Sequence, residues 1–395
     1  MKLAIVSTWP PRRCGLASFA AWLRAGLSDA RHGPLPVVAV SKRPGEFPYG
    51  PEVIFEIVQE DPESYREAAR LLNQAAVDAV LLQHEYGIYG GQDGRMVLEL
   101  ASELEVPLIT TAHTVRSEPT PGQREVLSRL AYRSERVVVM ARRAVTLMES
   151  VYGVPASKTV PIPHGVPAPP PARRVRELRR TLGARGRVLL MTLGLLGPGK
   201  GIELALEAVA LARKKCPEIL YLVIGATHPG ELAYRGEAYR EALVRRTEAL
   251  GLEEHVRFIN RYLDEDEVLA HMAAADIYIT PYPGREQISS GTLAFAVGLG
   301  RPVISTPYAY AEELLSRGAG VLVPFGDAEA MARAIEELAT DPSLREAVSE
   351  RAARVGATMG WPRVARQYAA LVAGLQETRT AHVEVKADVP SLRSR

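Results

Sequence analysis

Apolar positions along the chain fall into two alternating rhythms. Short continuous apolar runs at 3–7, 36–40, 53–57, 79–83, 107–111 and 136–140 have the length and composition of strands buried on both faces. Between most of them the period changes to that of a helix, through Phe19, Leu23 and Leu27 and over 62–74, 94–104, 123–133 and 142–151. Strands alternating with helices at this interval predict parallel βαβ units, and therefore a doubly wound α/β sheet.

The rhythm breaks near residue 165. Six prolines fall between positions 161 and 171, with Arg173 and Arg174 following. Proline at this density continues neither helix nor central strand, so the segment reads as a stiff interdomain connector. A second series then starts, with strands expected at 188–193, 220–224, 256–259, 275–280, 302–305 and 320–323. Helices are expected at 202–215, 238–250, 328–339 and 344–355. The expectation is two Rossmann-like domains facing across a cleft, 1–165 and 166–360. A last amphipathic helix over 361–376 (Val364, Tyr368, Leu371, Val372, Leu375) packs back on the first domain. The polar segment 377–395 is expected to be a mobile tail.

Composition narrows the class. A chain of 395 residues exceeds one ordinary core, and 47% hydrophobic with 24% charged residues describes a globular protein. Lys plus Arg total 48 against 46 Asp plus Glu, a balance that argues against a nucleic-acid partner. Two cysteines, Cys14 and Cys216, suit a reducing compartment. No apolar run reaches the roughly 18–20 residues of a membrane span, and Pro10-Pro11 interrupts the N-terminal one. A cytoplasmic location is expected. The charge run over 124–143 reads as a solvated helix face; peripheral membrane contact is possible there but not indicated.

Candidate chemistry concentrates at strand ends. In the stretch 280–306 a strand leads through a polar loop to Ser289-Ser290-Gly291-Thr292 at a helix start. Small residues there leave the first amides uncrowded at the positive end of the helix dipole, an anion site of the kind that takes phosphate. The same residues would serve a simple cap by Ser289 or Ser290. Glu286 stands just before them. Gly194, Gly199 and Lys200 have the spacing of a Walker loop, yet Gly201 occupies the hydroxyl position, which argues against a nucleoside triphosphatase. Asp264-Glu265-Asp266 could hold a cation, but Glu267 three residues after Asp264 makes a capping box, so no metal is expected there. The segment His84-Glu85-Tyr86-Gly87-Ile88-Tyr89 follows a strand and carries groups suited to sugar hydroxyls; an ordinary turn is the alternative. His113 ends a strand on the same edge. His164, His228 and His255 are read as structural. No hydrolase elbow, zincin motif or Cys pair is present.

Taken together these motifs resemble the retaining, nucleotide-sugar-dependent glycosyltransferases of family 4, which have the GT-B fold. The resemblance rests on Gly15, His113, Ile162-Pro163-His164-Gly165-Val166, Gly194 through Gly201, Glu286 with its helix, Gly300-Arg301-Pro302-Val303, and Glu313. It implies that the first domain serves the acceptor and the second the donor. Lys200, with Gly199, would neutralise the donor diphosphate, helped by Ser289, Ser290, Gly291 and Thr292. Glu286 would hold hydroxyls of the transferred sugar, with His113 near it and Gly15 letting the first loop reach the phosphate. The base would lie near Arg261, Tyr262 and Leu263, and Glu313 belongs to the same donor set. His84, Glu85, Tyr86 and Tyr89 are the groups expected toward the acceptor. Two positions depart from the family: Leu195 stands where a second phosphate-binding Arg is usual, and Ala294 where a second Glu grips the ribose. Arg12, Arg13 and Arg285 are the available substitutes.

The activity implied is transfer of a hexose, mannose or glucose, from a nucleoside-diphosphate sugar to a saccharide or other hydroxyl acceptor. It needs no metal or cofactor, and the leaving phosphate takes the acceptor's proton on the front face. Two alternatives share the fold: a nucleotide-sugar-binding protein without catalysis, and a sugar phosphorylase or epimerase.

Overall fold

The structure, a computed structural model, describes residues 1–29 and 35–387. Two compact units form: Met1–Pro163 together with the segment from Trp361 onward, and His164–Gly360. Each is a Rossmann-like parallel sheet clothed in helices.

In the first unit the strands are β1 (Leu3–Ser7), β2 (Val37–Ser41), β3 (Val53–Val58), β4 (Ala79–His84), β5 (Leu108–Ala112), β6 (Arg136–Val139) and β7 (Thr159–Pro161). They lie in the order β3-β2-β1-β4-β5-β6-β7, all neighbours parallel. The three-residue β7 ends on the first proline of the segment expected to be a connector. It survives its proline because it is an edge strand, where a missing N–H need not be paired. Apolar side chains of β1, β2 and β4 alternate between two cores. One core is closed by Phe19, Leu23 and Leu27 of the Gly15–Asp29 helix against Trp361, Val364, Tyr368 and Val372 of the last helix. Each such side chain, fully buried, contributes on the order of 2 kcal/mol. The Tyr368 hydroxyl also bonds Thr111 Oγ1 on β5 at 2.9 Å.

The last helix runs Trp361–Ala387. It therefore continues past Gln376, where the sequence suggested a tail; residues 388–395 lie outside the described residues. The Pro121–Arg133 helix starts two residues earlier than its period suggested. Pro121 sits in its first turn, where no N–H is needed, behind a capping box of Thr120 and Gln123.

The second unit contains β8 (Val188–Leu193), β9 (Ile219–Ile224), β10 (Val256–Ile259), β11 (Ile277–Thr280), β12 (Val303–Ser305) and β13 (Gly320–Leu322). Their order is β10-β9-β8-β11-β12-β13, again parallel. Before β8 a helix occupies Ala172–Thr181, immediately after Pro171. Its period was hidden by an arginine-rich composition. Arg179 ties it down, reaching Asp276 at 2.9 Å and the Ala274 carbonyl at 2.6 Å. No helix among the described residues is long and apolar enough to cross a membrane.

The strand order reverses between β1 and β4 in the first unit and between β8 and β11 in the second. Loops leaving the carboxyl ends of those strands diverge to opposite faces and open a crevice, the usual ligand position in such sheets.

Candidate active site

In the second unit the two loops at the reversal are those after β8 and β11. The first passes through a tight turn at Pro198–Lys200 into the Ile202–Ala212 helix. Gly201, between them, is left-handed (φ 60°), and a Cβ there would lie 2.1 Å from the Pro281 carbonyl oxygen. Only glycine lets the two loops touch so closely. The contact brings Lys200 onto Tyr282, its Nζ donating to the phenol oxygen at 2.9 Å and standing 4.5 Å from the ring centre.

Tyr282 is a buried hub. The hydroxyls of Thr292 and Ser290 lie near its own, and its ring stacks on Tyr308 with centres 4.9 Å apart. Burial alone would push its pKa up. The charge and hydrogen bond of Lys200, with the two hydroxyls, outweigh that and bring it below the usual phenol value. Burial holds the neighbouring Tyr278 and Tyr308 phenols well above theirs.

Ser290 caps the Gly291–Gly298 helix, its Oγ accepting the Leu293 N–H at 3.3 Å. Helix geometry leaves the amides of Gly291 and Thr292 without intrahelical acceptors. Beside them lies His164, whose Nδ1 is 2.8 Å from the Gly165 carbonyl and whose Nε2 would be 3.2 Å from a Cβ at position 291. Burial drops the His164 pKa to about 4, despite the Gly165 carbonyl, so the imidazole is neutral. Any side chain at 291 would press on that ring.

The other residues expected on the donor side occupy the surrounding loops. Glu286 is exposed; on either side of it the Arg285 and Gln287 carbonyls accept the Ala309 and Tyr310 N–H groups, which docks the loop onto the Ala309–Leu315 helix. Glu313 is half-buried on that helix, Ser289 is half-buried and Gly199 is exposed. After β10, Arg261 forks onto Glu267 at 2.8 and 2.6 Å, and Glu267 closes a capping box with Asp264. Arg261 holds the Glu267 carboxyl down to about 2. Tyr262 is exposed and Leu263 buried. Ala294 is fully buried in the helix interior, and Leu195 is half-buried. Of the three arginine substitutes, Arg12 reaches the Val40 carbonyl at 3.1 Å in the first unit, and Arg285 stands over Phe325.

In the first unit His113 follows β5. Its Nε2 is 2.9 Å from Gln83 Oε1 and its ring meets Phe19 edge-on. Gly15 opens the first helix with free space where a Cβ would be. The four residues expected toward the acceptor end β4 or follow it. His84 and Tyr89 are packed inside, the Tyr89 hydroxyl donating to the Gln83 carbonyl at 2.7 Å. Tyr86 is buried with its hydroxyl on the Gln123 carbonyl at 3.3 Å. Among the described residues neither His84 ring nitrogen has a hydrogen-bond partner, and burial takes its pKa to about 4. Glu85 alone of the four is half-exposed; it accepts from Thr114 and the Tyr86 N–H, and burial raises its pKa. Polar residue types at a strand end did not reveal which side chains turn inward.

Tyr282 was missed in the sequence. Its signal was there: an aromatic hydroxyl two residues past a strand that ends at the reversal.

Residues 19–168 match the family described as Glycosyltransferase Family 4, and residues 175–355 that described as Glycosyl transferases group 1. The GDP-mannose-dependent alpha-(1-6)-phosphatidylinositol monomannoside mannosyltransferase of Mycolicibacterium smegmatis is 28% identical over 287 residues, 69% of this chain and 71% of that one. Among solved structures, HepE of Anabaena in complex with UDP and glucose superposes with a TM-score of 0.74 at 17% identity, covering 95% of this chain and all of that one (100%). Sucrose-phosphate synthase of Thermosynechococcus elongatus gives 0.75 at 18% identity, covering 96% and 100%. At these identities the solved structures speak for the fold, two Rossmann-like domains of the GT-B type.

Proposed function

From the premise that this chain is a glycosyltransferase of the group 1, family 4 type, we propose that it moves a hexose, mannose or glucose, from a nucleoside-diphosphate sugar to a hydroxyl acceptor with retention of configuration. The observation that carries the reading is the Lys200 ammonium, held by Tyr282 beside the hydroxyls of Ser290 and Thr292 at a helix start. A diphosphate leaving group gains negative charge as the glycosidic bond breaks. A fixed ammonium and a helix N-terminus stabilise that charge more in the transition state than in the ground state, which is the condition for catalysis.

In this reading Glu286, exposed in the loop before the helix, takes sugar hydroxyls, and His113, steadied by Gln83, is the first unit's candidate catalytic residue. Asp264 is engaged as a helix cap, so leaving-group charge is assigned to Lys200 and the helix rather than to a cation on the Asp-x-Asp triplet. The donor phosphate oxygen accepts the acceptor's proton as the acceptor oxygen attacks from the same face. The relative's GDP-mannose dependence and the UDP and glucose bound to the HepE structure make GDP-mannose and UDP-glucose the first donors to try.

The test is nucleoside diphosphate release from a panel of sugar nucleotides, with and without candidate acceptors, and the anomeric configuration of the product by NMR. Acceptor-dependent release with retention is expected. Sugar 1-phosphate formed from a glycoside and phosphate would mean a phosphorylase. Binding without turnover would favour a non-catalytic protein, the alternative that Leu195 and Ala294 suggest.

A further inference from the structure

Lys200 is a flexible side chain, and an untethered lysine loses about 2 kcal/mol of rotamer entropy when it is fixed. Here it is fixed in advance. Its Nζ meets Tyr282 at 2.9 Å and stands over the ring, 4.5 Å from its centre. Tyr282 in turn is buried and stacked on Tyr308, with the Thr292 and Ser290 hydroxyls near its own. Its hydroxyl, bonded to Lys200, therefore stands between the loop after β8 and the opening of the Gly291–Gly298 helix, the two halves of the anion site in this reading.

We propose that Tyr282 is a positioning residue for Lys200: its buried hydroxyl sets the ammonium beside the first turn of the helix before the donor arrives. The inference rests on the donor-binding reading of Lys200. A neutral phenol takes one of the three ammonium donors and leaves two for phosphate oxygens. An ionised phenol instead makes a neutral ion pair with Lys200, and the site loses its attraction for an anion. The titratable and charged groups facing Tyr282 are Lys200 from the turn after β8, Tyr278 from β11 and Tyr308 from the loop after β12. Of these only Lys200 pulls the phenol toward ionisation, against the burial that opposes it; Tyr278 and Tyr308, held well above the usual phenol value, stay neutral. Donor binding should accordingly weaken as pH rises, through a midpoint below the value near 10 of an ordinary tyrosine.

The experiment compares wild type, Tyr282→Phe, Lys200→Ala and the double variant by calorimetric titration with UDP and GDP from neutral to alkaline pH. Tyr282→Phe keeps the stacked ring, so an unchanged melting temperature reports an intact fold. The expected result is roughly tenfold weaker nucleotide binding at neutral pH for Tyr282→Phe, loss of the alkaline decline, and no further loss when the change is added to Lys200→Ala. Independent, multiplying effects of the two changes would overturn the proposal, as would an alkaline decline that persists in Tyr282→Phe. Tyrosinate absorbance of the free protein judges the pair separately. One tyrosine should ionise ahead of the rest, be absent in Tyr282→Phe, and return to the ordinary range or above in Lys200→Ala. If the wild type binds no nucleotide, the donor reading fails, and this titration still decides whether the pair exists: no early-ionising tyrosine would sink it.

Discussion

Replacing Gly201 with alanine tests whether the close contact of two loops builds the site. The backbone there is left-handed, φ 60°, which costs an L-residue roughly 1–2 kcal/mol. The new methyl group would also lie 2.1 Å from the Pro281 carbonyl oxygen, a backbone atom that cannot rotate away. Relief requires the loops to part by about 1 Å, and overpacking of this kind adds roughly 1–3 kcal/mol. The total is about 2–5 kcal/mol, a drop of roughly 5–15 °C in the melting transition of the second unit. The larger effect should be functional. Parting the loops draws Lys200 away from Tyr282, and a misplacement of about 1 Å can cost on the order of a hundredfold in rate. Scanning calorimetry and donor turnover measured below the lowered transition separate the two effects. A variant with wild-type melting and wild-type turnover would refute the claim that this contact assembles the site.

Lys200→Ala should reduce turnover by about 10²–10³-fold, the usual worth of a charge-stabilising group, with little change in melting temperature because the side chain is half-exposed; steady-state kinetics with the best donor checks it. Tyr368→Phe removes the buried bond to Thr111 and should destabilise the first unit by about 1–2 kcal/mol, read from denaturant melts. His84 is held neutral, its pKa lowered by burial to about 4, whereas the unfolded chain protonates it near 6.5. The unfolded state then binds the extra proton between those values, so stability falls as pH drops from about 6.5 to about 4, by up to about 3 kcal/mol from this residue. His84→Leu should flatten that part of the acid profile in urea melts at several pH values; an unchanged slope would show that His84 is not its source.

Most strands were legible in the chain because each is a short, continuously apolar run between turns, and β1, β8 and β10 fall at the residues expected. The elements that escaped did so for compositional reasons. In β7 and the Ala172–Thr181 helix, proline and arginine mask the period, and edge pairing or ion pairs replace apolar burial. The candidate anion site was legible in part. Lys200 and Ser290 sit in glycine-rich and small-residue turns whose meaning is local. Tyr282 escaped because its role comes from loops more than eighty positions apart in the chain, a relation no local pattern carries. Around His84 the residue types suit hydroxyl recognition, while the burial of His84 and the bond from the Tyr89 hydroxyl to the backbone come from packing that residue type alone does not carry.

The helix beginning at Trp361 has a consequence for how the molecule is made. Synthesis runs in one direction, so the apolar stripe of Phe19, Leu23 and Leu27 leaves the ribosome hundreds of residues before its partner. The His164–Gly360 unit is complete earlier in that schedule than the unit that begins the chain. A nascent polypeptide of this protein thus carries an uncovered greasy flank through most of its elongation. That is the interval in which a chaperone, or a second nascent chain, has its opportunity to bind there.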